Sequence, residues 1–242
     1  MRNIKLILEY DGTDFLGWQW QPKGRTVQGV LQGAIYELMQ EKPTIYAAGR
    51  TDAGVHALGQ VVNFKTNKLL ELKSIKLGLN SYLPGDVVVV QVEEVDESFH
   101  ARYNARKRQY RYVISKRPRA VGRQYSWHCK YPLDVEQMRK ASAYLIGEHV
   151  FKAFCKEMED EPHYLCNVES INWQETADEI ILQICANRFL HNMVRIIVGT
   201  LVDVGRKKIE PEIVKQMIDN QTRGKIGFTA PPQGLFLEKV FY

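Results

Sequence analysis

Runs of β-branched and aromatic residues alternate with segments of helical spacing along this chain, and this alternation limits the fold more than any other feature. Val87-Val88-Val89-Val90 is too short and too β-branched to favour a helix, whereas apolar residues recur at helical spacing after Thr26. The patterns run β, α, β, loop, β, α, β and then restart near Tyr103. We therefore predict an α+β fold of two similar α/β halves, 1–103 and 104–242, with antiparallel or mixed sheets backed by helices.

The composition indicates an ordinary globular chain: 45% of its 242 residues are hydrophobic and 25% are charged. No apolar run approaches the length of a membrane span, and no secretory core follows Met1. We expect no membrane partner and a cytoplasmic location. The four cysteines are scattered, so they favour reduced core thiols. The weaker alternative is a zinc site from Cys155, Cys166, His128 and His163.

The positive charge is concentrated in one segment. From residue 98 to residue 133 the chain has ten Lys and Arg residues and no Asp or Glu, although the net charge of the whole chain is only +5. Such a distribution is typical of a polyanion-binding surface. We predict a cationic cleft at the centre of the molecule.

A glycine-rich stretch from Ala47 to Ala57 lies between two apolar runs. Gly49 and Gly54 bracket a segment in which the backbone must turn sharply or approach something closely. Within it Asp52 lies close to Arg50, and a positioned carboxylate can act as a nucleophile or a base. The alternative is an ordinary Asp-x-Gly turn between two strands.

The segment 108–114 predicts a strand whose alternation puts Arg108, Tyr110 and Tyr112 on one face. Arginines interleaved with tyrosines suit nucleic acid, because guanidinium groups bind phosphates while a ring stacks on an exposed base. The alternative is a solvated edge strand.

A strongly apolar helix is predicted from residue 189 to residue 204, and it contains Arg195. A guanidinium among apolar residues needs an anion, and Asp52 is the candidate. Helical spacing would align Arg188, His191 and Arg195 on one stripe, with Gly199 as a low point. For Arg188 a solvent-facing position stays open.

Other patterns exclude several classes. The chain has no phosphate-binding loop, no dinucleotide fingerprint and no G-x-S-x-G. His56, His100 and His149 are more typical of structural residues, because no metal-ligand spacing links them.

Several motifs together resemble the TruA-type tRNA pseudouridine synthases. The 49–57 loop resembles the family's signature, and other blocks follow in the family's order. These blocks are Tyr10-Asp11-Gly12 with Phe15-Leu16-Gly17-Trp18-Gln19, Thr26-Val27-Gln28, Phe99-His100-Ala101-Arg102, Arg108-Gln109-Tyr110-Arg111-Tyr112, the 189–195 segment and Gly234-Leu235-Phe236-Leu237.

The resemblance implies isomerisation of uridine to pseudouridine at positions 38 to 40 of the tRNA anticodon arm, by a homodimer without cofactor. It implies that Asp52 and Arg195 are catalytic, that Tyr110 packs on the target base and that Leu235 forms a pocket wall. The remaining sites, predicted to bind RNA, are Arg50, Arg102, Arg106, Arg108 and Arg188.

Two other classes stay open at this point. One is a non-catalytic RNA-binding protein with the same fold. The other is an Asp-dependent hydrolase or phosphotransferase with a basic groove, although its usual second carboxylate and metal ligands have no clear candidates here.

Overall fold

The structure is a computed structural model that describes residues 1–156, 163–224 and 226–242. Within those residues it has ten strands and five α-helices, which confirms the predicted α+β class. In chain order they are β1 (Arg2–Tyr10), α1 (Val27–Met39), β2 (Tyr46–Ala47), β3 (His56–Thr66), α2 (Leu72–Tyr82), β4 (Val87–Val95), β5 (Lys107–Ser115), β6 (Trp127–His128), α3 (Val135–Ala143), β7 (Gly147–Val150), β8 (Leu165–Glu175), β9 (Glu179–Ala186), α4 (Met193–Gly205), α5 (Glu212–Asn220) and β10 (Leu235–Phe241).

The chain forms two compact units. The first comprises Met1–Arg106 and Phe236–Tyr242, and the second comprises Lys107–Leu235. From Phe236 onward the C-terminal strand thus belongs to the first unit, whereas the predicted second half, 104–242, included it. The similarity of the two halves and the cationic cleft stay predictions.

In the first unit, β1 lies between β3 and β4 and is antiparallel to both. β2 pairs with β3 antiparallel, and Phe236 and Leu237 pair parallel with His56 and Ala57 of β3. Helix α1 begins where it was predicted to begin, because the Thr26 hydroxyl accepts the Gly29 N–H at 3.2 Å and so caps the helix.

In the second unit, β9 lies between β5 and β8, β7 adds to β8, and all three pairings are antiparallel. β6 pairs with β5 in parallel. Helix α4 is buried along nearly its whole length, since its sequence is almost entirely apolar.

Two predictions about the second unit are wrong in detail. Helix α4 begins at Met193 rather than at residue 189, because Asn192 adopts a left-handed conformation (φ 61°) that ends the preceding turn. Arg188 and His191 are therefore not on the helical stripe predicted for them. The sequence from Glu148 to Asn167 predicts an irregular segment, but it contains most of strand β7, a 3-10 helix, Phe151–Phe154, and the start of β8. Residues 157–162 of that segment lie outside the described residues.

The four cysteines are buried free thiols, as predicted. Among the described residues, none of the helices has the length and apolarity that a bilayer crossing requires.

Candidate active site

Asp52 lies in a tight turn between β2 and β3. Its carbonyl accepts the Val55 N–H at 3.2 Å, and Gly54, the third residue of this four-residue turn, has φ +75°. A positive φ at that position is what a type II turn requires, so glycine is needed there. The side chain of Asp52 is partly exposed, and the carboxylate is carried by a turn of fixed geometry.

The N-terminal loop packs directly against this turn through its backbone. Trp18 N–H donates to the Thr51 carbonyl at 3.0 Å, and Gly54 N–H donates to the Phe15 carbonyl at 3.3 Å. A Cβ at Gly17, where φ is +94°, would lie 2.6 Å from the Thr51 oxygen. The glycine permits this close approach, so the Phe-x-Gly-Trp block forms the support of the Asp52 turn.

Buried polar side chains hold the other flank of the turn. Tyr10 and Thr51 share a hydrogen bond between their hydroxyls at 2.8 Å, and Gln60 donates from Nε2 to the Gly49 carbonyl at 2.8 Å. Burial raises the pKa of Tyr10 to about 12, so its hydroxyl stays neutral. Gln60 was not among the predicted site residues, although a polar amide inside an apolar strand is a signal in the sequence.

His56 has the contacts of a structural residue. Its Nδ1 lies 3.0 Å from the Gly12 N–H and 3.1 Å from Asp11 Oδ1. Both contacts tie His56 to the Asp11-Gly12 end of β1. The ring stacks on Phe236 with centroids 4.7 Å apart, which ties the start of β3 to β10.

In the second unit, β5 places Tyr110 and Tyr112 on one face. The ring of Tyr110 makes an edge contact with Phe189, with centroids 5.0 Å apart, and is 9% exposed. Tyr112 is fully buried and donates from its hydroxyl to the Pro231 carbonyl at 2.7 Å. Burial raises the pKa of Tyr112, so it keeps this proton. Tyr112, which the alternation places on the same face as Tyr110, is therefore a supporting residue and not a ring on which a base can stack.

Leu235 is positioned through Tyr112. The backbone of Gly234 approaches the Tyr112 ring so closely that a Cβ there would lie 2.8 Å from it. A short 3-10 helix, Pro232–Gly234, ends in a hydrogen bond from Leu235 N–H to the Pro232 carbonyl, and Leu235 is buried. The position of Leu235 is therefore fixed by the packing of the preceding residue, Gly234, against the Tyr112 ring.

Arg195 is oriented by two neutral oxygens of its own unit. Its Nε donates to the Ala230 carbonyl at 2.8 Å, and its Nη1 donates to Asn192 Oδ1 at 3.0 Å. Gly199 is the predicted low point of the helix: a Cβ there would lie 1.8 Å from the Phe228 carbonyl oxygen. The segment from Phe228 to Ala230 thus lies on α4 and aligns the guanidinium.

The predicted RNA-binding arginines are distributed over both units. Arg50, Arg102 and Arg106 are exposed in the first unit. In the second unit, Arg108 and Arg188 both bond to Asn187. The Asn187 carbonyl accepts from Arg108 Nη1 at 2.9 Å, and Asn187 Oδ1 accepts the Arg188 backbone N–H at 2.7 Å.

Four members of the basic 98–133 segment form ion pairs within the second unit, so these four contribute less charge to the predicted polyanion-binding surface. The partners are acids of β8, β9 and the turn between them, which are distant in the sequence. The pairs are Lys107–Glu169 at 2.9 Å, Lys116–Glu175 at 2.6 Å, Arg117–Asp178 at 3.0 Å and Arg119–Glu179 at 2.7 Å.

No group of three or more His, Cys, Asp or Glu side chains is arranged to hold a metal ion within the described residues. The zinc alternative therefore has no support from the geometry of those residues.

A family model described as tRNA pseudouridine synthase matches residues 6–104 and 141–242. A protein named tRNA pseudouridine synthase A from Thermoanaerobacter sp. (strain X514) is 47% identical over 100% of both chains. A tRNA pseudouridine synthase A 2 from Clostridium perfringens (strain 13 / Type A) is 46% identical, and one named tRNA pseudouridine synthase A from Geotalea uraniireducens (strain Rf4) is 41% identical, again over 100% of both chains.

This chain belongs to the tRNA pseudouridine synthase family, and it is an isomerase that converts uridine to pseudouridine in tRNA. The family suggested by the sequence motifs is thereby confirmed.

Proposed function

We propose that this enzyme modifies uridines at positions 38 to 40 in the anticodon arm of tRNA, with Asp52 as its catalytic group and without a cofactor. The observation that carries the proposal is the construction of the Asp52 turn, which glycine contacts and buried hydrogen bonds fix from both flanks. Rigid support of this kind is what a reacting carboxylate requires, because small displacements greatly reduce the rate.

The reaction breaks the N1–C1′ bond of uridine and forms a bond between C5 and C1′. C5 loses its proton and N1 gains one, so the product is an isomer and no co-reactant is needed. Asp52 serves in this scheme as a nucleophile or as a base. Both roles require the carboxylate to reach a uridine that has left the base stack.

The other site residues are proposed to hold the extruded uridine. Tyr110 packs on the base, Leu235 forms an apolar wall, and the exposed arginines grip the phosphates. This assignment is supported by the rigid setting of Tyr110 against Phe189 and of Leu235 behind Tyr112.

Arg195 is proposed to act as the cationic partner of Asp52. A guanidinium in an apolar segment requires an anion, and the Ala230 carbonyl and Asn192 Oδ1 fix the orientation of this one. A double-mutant cycle with Asp52→Asn and Arg195→Gln tests it: the two losses of kcat/KM should be far from additive. Additive losses would contradict the pairing.

The decisive experiment compares Asp52→Ala with Asp219→Asn, an exposed acid on α5 that serves as a matched control. We expect Asp52→Ala to bind tRNA with unchanged affinity and to form no pseudouridine, while the control keeps full activity. Site-resolved pseudouridine mapping in tRNAs with single uridines at 38, 39 or 40, and in one with none there, tests the positions. Undiminished product from Asp52→Ala would end the catalytic assignment and favour another site.

We also propose, from the family resemblance, a homodimer that holds tRNA across both subunits. Sedimentation of the free protein and of its tRNA complex tests this, and a monomer in both would refute it. The cytoplasmic location stays a prediction.

A further inference from the structure

Three aromatic rings of the first unit contact one another in a row, with neighbouring ring planes tilted by 42° and 38°. The Tyr46 ring lies 4.4 Å from the His100 ring, and the His100 ring lies 4.3 Å from the Tyr103 ring, measured between centroids. We call these three residues the aromatic ladder. Tyr46 is 40% exposed and Tyr103 is 75% exposed, so the ladder ends in solvent.

The turn that carries two of these rings is held by its own hydrogen bonds. His100 Nδ1 accepts the Arg102 N–H at 3.1 Å, and the His100 N–H donates to Asn104 Oδ1 at 2.6 Å. Asn104 N–H returns a bond to the His100 carbonyl at 3.0 Å. The imidazole is thereby fixed as a neutral acceptor, and partial burial together with the Arg102 charge lowers the pKa of His100.

The turn is also anchored to the interior of the unit. Ala101 N–H donates to Asn63 Oδ1 at 2.8 Å, and Ala101 carbonyl accepts from the Tyr242 hydroxyl at 2.8 Å. Asn63 is buried and is itself held by a bond to Asn3 Oδ1 at 2.9 Å. An exposed tyrosine on such a turn is preorganised, so the binding of a stacking partner costs little entropy for ordering the turn.

The charge around the ladder favours one occupant. The Arg102 guanidinium lies 5.8 Å from the centre of the Tyr103 ring, and Arg102 and Arg106 are both exposed on the same stretch of chain. An exposed ring with adjacent guanidinium groups matches a nucleotide, whose base stacks on the ring while its phosphate meets the cation.

We propose that the aromatic ladder is a stacking platform for an exposed base of the tRNA substrate, at a point separate from the uridine that reacts. The proposal rests on tRNA being the substrate and is independent of the role of Asp52. Any base can stack on an aromatic ring, so the platform contributes affinity for tRNA and not sequence specificity.

The test uses Tyr103→Ala, with Tyr103→Trp as the variant that keeps a stacking face. The control is Tyr82→Ala, since Tyr82 is 52% exposed on α2 of the same unit. We expect Tyr103→Ala to raise the Kd and the KM for tRNA roughly tenfold while kcat changes less than about twofold. Tyr103→Trp and Tyr82→Ala should bind as the wild type does.

A direct contact is tested by ultraviolet cross-linking of tRNA to the protein, followed by mass spectrometry of the peptide that contains Tyr103. The tRNA-binding titration is repeated with Tyr103→Ala in the Asp52→Ala background. Its result depends only on binding, so it remains valid even if Asp52 is not the catalytic group. An unchanged Kd for Tyr103→Ala would overturn the platform. A change in the sedimentation of the free protein on Tyr103→Ala would overturn it as well, because it would assign the ladder to contact with a second copy.

Discussion

Gly17 packs against the Asp52 turn, and replacing it by alanine should both strain the backbone and displace the Asp52 carboxylate. The added Cβ would lie 2.6 Å from the Thr51 oxygen, where ordinary contact begins at about 3.4 Å, so one backbone must retreat by about 0.8 Å. The φ of +94° adds a conformational penalty of about 1–2 kcal/mol for a residue with a Cβ.

Overlap with backbone adds about 1–3 kcal/mol, so we expect the free energy of unfolding to fall by about 3 kcal/mol. A displacement approaching 1 Å at the reacting carboxylate should lower kcat on the order of 100-fold. The Kd for tRNA should stay near the wild-type value. Urea unfolding, single-turnover pseudouridine formation and a binding titration measure the three quantities.

The matched control is Gly122→Ala, since Gly122 also has a positive φ of +73° but has no neighbour within 4 Å of an added Cβ. It should lose only the conformational penalty and keep its full kcat. If Gly17→Ala were no less stable than Gly122→Ala and turned over tRNA at the wild-type rate, the reasoning about the turn would be refuted.

Two further predictions concern pH and salt. Tyr10 has a pKa of about 12 in the fold against about 10 in the unfolded chain, so between those values only the unfolded state loses the proton. The free energy of unfolding should therefore fall as pH rises from 10 towards 12, by roughly 2–3 kcal/mol in total, and Tyr10→Phe should lack this part of the slope in urea unfolding. Lys116→Gln should leave the salt dependence of tRNA binding unchanged because Lys116 pairs with Glu175, whereas Arg106→Gln should reduce the slope of log K against log salt by about 1.

Each of the two has an outcome that contradicts it. Parallel pH profiles for the wild type and Tyr10→Phe would show that the buried hydroxyl does not titrate differently in the two states. Equal changes of slope for Lys116→Gln and Arg106→Gln would show that the ion pairs of the second unit do not withhold charge from RNA.

Much of the fold was predictable from local sequence patterns. The β-branched run at 87–90, the Thr26 cap and the two strands of the β5–β9 pair were all predictable, because each depends on residues close together in the chain. The start of α4 was not, since apolar spacing continues through Phe189 and Leu190 while the left-handed Asn192 ends the turn before the helix. Apolar periodicity indicates which residues are buried, and a residue such as Leu190 can be buried without being helical.

The sequence by itself determined the α+β class, the glycines that the Asp52 turn needs and the family to which the chain belongs, because these follow from residue types at short spacing. Only the tertiary structure decided what those residues touch. It set Gly17 against Thr51 and Tyr112 behind Gly234, and it placed the acids of the β8–β9 hairpin against the basic segment. The physical reason is that steric fit and charge pairing depend on distances in space, and residues far apart along the chain acquire those distances only by folding.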